Sequence, residues 1–231
     1  MQDIYDSMKE AWNLIITWNA ELYGIILLTL AVTVLSTIFS SVTGIAAGVF
    51  IGSTEFKGRR FVIRLIQTFM GLPPVVAGLA VFLFLSRKGP FGQLSLLFTP
   101  AAMVIAQVVI IFPIIMGLTS AAVRDRSTAV LETCRGLCLP RFKALKLLLF
   151  ECRYAIISAV LAGYGRAISE VGAVMLVGGN IQYHTRVMTT AIVLETGKGN
   201  YDKALALGLL LLLLSFFVNW IVQRFQENGI R

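Results

Sequence analysis

An all-α integral membrane protein, with five transmembrane helices and an N-terminal interfacial helix, is the fold class this chain predicts. Three observations carry it. Of 231 residues, 57% are hydrophobic and only 14% are charged, and the mean hydropathy is +0.82, a balance that belongs to the bilayer. The apolar residues gather into five runs. At about 1.5 Å rise per residue, each has the length to cross a hydrocarbon core of about 30 Å, with tilt where it is longer. The 20 Lys and Arg outnumber the 12 Asp and Glu, but they cluster at the ends of the apolar runs, where membrane orientation accounts for them. Nucleic acid is therefore not an expected partner.

Residues 1–20 mix Trp12, Trp18, Ile15 and Ile16 with Asp3, Asp6, Glu10 and Asn19, a pattern suited to a helix lying on the membrane. The N-terminus is acidic and lacks the basic region of a signal peptide, so the first apolar run is expected to be retained. That run, about 23–51, carries Gly44, Gly48 and Gly52 at every fourth position, a face that lets another helix approach closely. The second span, about 61–85, follows the basic turn of Lys57, Arg59, Arg60 and Arg64. Met70-Gly71-Leu72-Pro73-Pro74 interrupts it, because adjacent prolines lack the N–H groups of a regular helix. Broken backbone at membrane depth survives only when buried in protein or lining a wet cavity, so Pro73 and Pro74 mark either a gate or a structural kink.

The third span, about 101–120, holds Gln107 near its middle and Pro113 beyond it. The fourth, about 154–177, holds Arg166, Ser169 and Glu170, and the fifth, about 204–223, is Leu-rich and uncharged. With the N-terminus outside, thirteen of the 20 Lys and Arg fall in the cytoplasm, which places the C-terminus there as well.

Arg166 and Glu170 are spaced i, i+4, one helical turn apart if the span is continuous. A mid-membrane arginine must be paired or hydrated. A structural ion pair and a solute path both satisfy that demand, and a mixed role is favoured in which Ser169 and the neighbouring glycines face the path. Between the third and fourth spans lies the basic segment 124–153, RDRSTAVLETCRGLCLPRFKALKLLLFECR. Ser127 is a candidate N-cap for a short helix ending at Gly136 to Pro140, before a second helix from Arg141. Short helices with basic and apolar faces suit docking into a groove on another protein. Cys134 and Cys138 share a helical face, but no histidine or third thiol joins them, so no metal or cofactor is expected. There is no GxxxxGK[ST] loop for ATP and no hydrolase constellation around the lone His184, so the chain is not expected to be an enzyme.

MGLPPVVAGL (Met70 to Leu79), FTPAAMVIAQ (Phe98 to Gln107), GRAISEVGAVMLVGGN (Gly165 to Asn180) and TTAIVLETGKG (Thr189 to Gly199), together with the basic loop, resemble the permease subunits of ATP-binding-cassette importers. Within them the tungstate-type oxyanion branch is the most similar. The resemblance implies a type I ABC importer permease fold, with an ABC transmembrane type-1 domain over 21–226. It implies a homodimer in the prokaryotic inner membrane, two cytoplasmic ATPase subunits that hydrolyse ATP, and an extracytoplasmic substrate-binding protein. It assigns Glu132, Arg135, Gly136, Leu137 and Arg141 to ATPase coupling. The expected path residues are Gln67, Thr68, Pro73, Pro74, Gln107, Arg166, Ser169, Glu170 and Asn180. The chain departs from the family pattern where Thr133 and Cys134 replace alanines, where Cys138 stands in place of a glycine, and where Phe150-Glu151 replaces Leu-Pro. Import of tungstate or molybdate is the leading expectation. Sulfate or phosphate import, or a membrane scaffold that moves nothing, are the alternatives.

Overall fold

The computed structural model describes residues 20–228, and the interfacial helix expected over 1–20 lies, but for its last residue, outside the described residues. All the regular elements described are helical: α1 (Ala20–Ser53), α2 (Arg59–Met70), α3 (Pro74–Leu85), a 3-10 turn (Gly92–Leu94), α4 (Pro100–Gly136), α5 (Arg141–Glu151), α6 (Arg153–Ile168), α7 (Gly172–Gly178), α8 (Met188–Gly197) and α9 (Tyr201–Asn228). Stretches 21–53, 100–136 and 201–224 are each long and apolar enough to cross a membrane alone. The sharply bent pairs α2 with α3 and α6 with α7 bring the number to five if each pair is one span.

Two expectations need correction. The helix predicted to start at Ser127 is instead the end of α4, which runs unbroken for 37 residues through Pro113. The Ser127 hydroxyl donates to the Arg124 carbonyl at 3.0 Å, a bond back into its own helix rather than an N-cap. The fourth span is not continuous either. Helix α6 stops at Ile168 and α7 starts at Gly172, so Glu170 falls in the break and the helical i, i+4 register does not extend from Arg166 to it. Gly172, Gly178 and Gly179 weaken helix continuity locally, and a buried carboxylate takes up the orphan amide of α7, as described below.

The chain folds as two compact units, one formed by residues up to Leu35, Pro74–Gln107 and residues from Ile168 onward, the other by Ser36–Pro73 and Val108–Ala167. In the first unit Leu22 and Ile25 of α1, Met188 and Ala191 of α8, and Leu207 and Leu210 of α9 make one buried cluster. The start of α8 is tied to α1 by a hydrogen bond: the Met188 amide donates to Thr29 Oγ1 at 2.9 Å, satisfying an N–H that has no partner within its own helix.

In the second unit the expected glycine face finds its partner in α4. A Cβ on Gly48 would lie 2.7 Å from the Met116 carbonyl oxygen, and one on Gly52 would lie 2.8 Å from Val123, so only glycine permits the approach. From the other side, a Cβ on Gly163 of α6 would lie 2.7 Å from Ile115. Val49, Val123, Leu148, Cys152 and Ile156 close one end of this unit and anchor α5 through Leu148. Arg59 occupies the first turn of α2, where a cation opposes the helix dipole. It is held there by α1, whose last turn supplies the Ile51 and Gly52 carbonyls to its guanidinium at 2.9 and 2.7 Å.

Candidate functional site

The helices that follow the two backbone breaks, α3 and α7, meet inside the first unit. Pro74 begins α3, and Glu170 to Gly172 begin α7. A Cβ on Gly172 would fall 3.0 Å from Val75 Cγ2, and one on Gly78 would fall 2.6 Å from Ala173 Cα, so the two helices run in close contact from their first turns. Glu170 is buried at 5% exposure. Its carboxylate accepts the Ala173 amide at 3.1 Å, which caps α7. Its backbone carbonyl accepts the Thr189 hydroxyl at 3.0 Å. A hydrogen bond that satisfies an amide with no partner in its own helix gives Glu170 a structural task at the break.

The sequence-derived candidates take different positions in the two units. Pro73 and Ser169 are exposed, Pro74 is half-buried, and Gln107 is buried on α4 at 4%. Asn180 follows Gly179 in a left-handed turn, with φ of 51° and 72°. Asparagine tolerates that conformation better than most side chains. Its Oδ1 accepts Arg186 Nε at 3.3 Å, and its Nδ2 donates to the Thr190 carbonyl at 3.5 Å. Asn180 therefore holds the turn between α7 and α8. Gln67, Thr68 and Arg166 belong to the second unit. Thr68 is exposed and its hydroxyl donates to the Arg64 carbonyl at 2.9 Å. Gln67 is exposed and lines a cleft with Ile63, Ile66, Met70, Gly117, Ser120 and Arg124. Arg166 is half-buried on the last turn of α6.

Residue-by-residue reading missed Thr189, Thr185 and Arg186. Thr185 donates to the Gly178 carbonyl and accepts the Ile181 amide, while Arg186 meets Glu21 at 3.2 Å. The polar run from Gln182 to Thr190 was the available signal, since three closely spaced hydroxyls at the end of an apolar stretch serve caps and turns.

The coupling candidates cluster at the end of α4 and the start of α5. Glu132, Arg135, Gly136, Leu137 and Arg141 are all exposed. Leu137 is 65% exposed and Phe142 78%, while Ala144 and Leu148 of the same α5 are buried. The helix is thus fastened on one side and bare on the other. Between them, Leu139 N–H donates to the Cys134 carbonyl at 2.9 Å, and Cys138 takes φ of 53°, the conformation a glycine commonly supplies at a helix C-terminus. The far end of α5 is set by Arg153, whose guanidinium lies 3.9 Å from the Phe150 ring centroid and donates to the Phe150 carbonyl at 2.7 Å.

The family described as binding-protein-dependent transport system inner membrane component matches residues 44–228. The tungstate uptake system permease protein TupB of Peptoclostridium acidaminophilum is 37% identical over 228 residues, covering 99% of this chain and 100% of that protein. The protein of the same description from Campylobacter jejuni is 34% identical over 225 residues, covering 97% and 94%. A crystal structure of a bacterial ABC transporter involved in the import of the acidic polysaccharide alginate has a TM-score of 0.69 at 22% identity, over 89% of this chain and 80% of that one. At that identity the likeness concerns the fold alone.

Proposed function

From the premise that this chain belongs to the binding-protein-dependent transport system inner membrane components, as a permease of the type I ABC importer fold, we propose that it imports tungstate or molybdate. In this reading it works as a homodimer fed by an extracytoplasmic binding protein and driven by two cytoplasmic ATPase subunits. The two dianions share a tetrahedral shape and charge, so the path residues do not choose between them. The substrate assignment draws its support from the relatives at 34 and 37% identity that span nearly the whole chain.

The mechanism proposed is alternating access. ATP binding draws the ATPases together, and the end of α4 with the start of α5 moves with them. The observation that carries this reading is the exposure of Leu137, in the turn after α4, and of Phe142, on the α5 that Leu148 holds from behind, among the exposed charges Glu132, Arg135 and Arg141. Exposed apolar side chains rimmed by charge fit a protein groove better than they fit water. The orientation that puts this surface in the cytoplasm also puts the N-terminus outside. Pro73, Pro74, Ser169 and Gln107, with Gln67, Thr68, Arg166, Glu170 and Asn180, are proposed to form or frame a path whose weak hydrogen bonds release the anion readily. Glu170 and Asn180 contribute by holding backbone turns in place.

The test is reconstitution with the ATPase and binding protein. Leu137→Asp and Glu132→Ala are expected to leave membrane insertion intact while separating ATP hydrolysis from tungstate uptake. Uptake that stays normal in both variants would remove the coupling role.

A further inference from the structure

A cleft between α2 and α4, wholly within the second unit, has a cationic mouth and an apolar floor. The mouth, a space of about 500 Å3, is lined by Glu55, Phe56, Arg59, Arg60 and Arg124. A narrower, largely apolar part of about 190 Å3 continues from it, sharing Ile63 and Arg124, running past Ile66, Met70 and Leu118, and bordering the path proposed above only at Gln67. The cations are poorly neutralised. Arg59 is committed to the α1 carbonyls, with Glu55 3.9 Å away. Among the described residues Arg124 pairs only with Asp125, at 3.8 Å, with both side chains at least half exposed. Arg60 and Arg64 are exposed and make no ion pair with a described residue. Beside the cleft, α2 presents Phe61, Leu65 and Phe69 as an exposed apolar stripe, the surface of a helix that lies against acyl chains while its arginines reach headgroups.

We propose that this cleft binds one anionic phospholipid of the cytoplasmic leaflet. The headgroup phosphate sits on Arg60 and Arg124, and an acyl chain runs along Ile63, Ile66, Met70 and Leu118. Dimensions support a lipid over a free anion. From Arg60 to Met70 the helix rises about 15 Å, about one leaflet of a 30 Å core. A small oxyanion would leave the apolar continuation empty. The charge requirement is met by guanidinium forks, which suit phosphate oxygens. The inference rests on the orientation proposed above, which puts the cleft mouth at the cytoplasmic surface.

The test is native mass spectrometry of the full chain in detergent, titrated with phosphatidylglycerol or phosphatidylcholine. One phosphatidylglycerol per chain is expected to be retained in preference to phosphatidylcholine. Each basic residue near an anionic lipid is worth about fivefold, so the double variant Arg60→Gln with Arg124→Gln should bind it roughly thirtyfold more weakly. Arg60→Lys with Arg124→Lys keeps the charge but loses the fork and should bind more tightly than the Gln variant and more weakly than the unaltered chain, and an unchanged elution volume for the Gln variant shows that it still folds. Equal binding by the Gln variant overturns the proposal. So does displacement of phosphatidylglycerol by millimolar glycerol phosphate or inorganic phosphate, which would make the site one for free anions. The measurement needs neither ATPase nor uptake, so its failure and a failure of the transport reading are separately visible.

Discussion

Gly78 and Ala173 lie so close that a Cβ on the glycine would sit 2.6 Å from the alanine Cα. The obstacle is backbone and not a flexible side-chain tip, so neither helix can yield without moving the break that precedes it. Gly78→Ala is therefore expected to lower stability by about 1–3 kcal/mol, the usual cost of overpacking. A thermal melt of the purified permease measures this. An unchanged midpoint would mean that α3 and α7 are not in contact as described.

Cys138 carries a left-handed φ of 53° at the end of α4, a conformation that costs a residue with a Cβ about 1–2 kcal/mol. Part of that gain is returned through the freer unfolded chain of glycine. Cys138→Gly should still raise the melting midpoint, and Cys138→Val should lower it, because a β-branched residue fits this region worst. The reverse order would contradict the turn geometry.

The same residue reports orientation. Cys138 is exposed, whereas Cys134 and Cys152 are buried, and burial pushes the Cys152 thiol up, away from the reactive thiolate. A membrane-impermeant maleimide should label Cys138 in inside-out vesicles and leave it untouched in intact cells. Labelling in intact cells would reverse the proposed topology.

Glu195 links α8 to the start of α9. Asn200 donates to its carboxylate at 2.9 Å, and Lys198 does so at 2.9 Å. These bonds, that from Asn200 foremost, hold its pKa below the ordinary glutamate value. A lowered folded-state pKa contributes stability that is present above the unfolded value, about 4.3, and is lost as pH falls through the folded one. Melting midpoints recorded downward from pH 5 should therefore fall, and Glu195→Gln should flatten that part of the profile. Parallel profiles for the two proteins would show that the Glu195 bonds contribute nothing to folding.

How much of this was legible in the residues differs from feature to feature. The break at Pro73 and Pro74 was readable because missing N–H groups disrupt a helix wherever they occur. The close-packing role of Gly44, Gly48 and Gly52 was readable from spacing, although their partner was not. The break at Ser169 to Val171 was hidden: nothing in SEVG forbids a helix. The interruption depends on the buried Glu170 carboxylate finding the Ala173 amide and on Thr189 meeting the Glu170 carbonyl, contacts that are decided by tertiary neighbours. The run of α4 past Ser127 was also hidden, since a serine caps only when the backbone before it leaves the helix.

Composition, charge placement and motif order by themselves determined a multispan permease with a basic segment between its third and fourth apolar runs. Hydropathy and steric rules act locally, and they hold whatever lies nearby. Only the tertiary structure decided which helix each glycine meets, that Glu170 closes a helix rather than standing one turn from Arg166 on it, and that α2 and α4 enclose a cationic cleft. Helices apolar on nearly every side carry no periodic mark of their buried face, so those choices belong to packing and to the polar groups that burial forces into pairs.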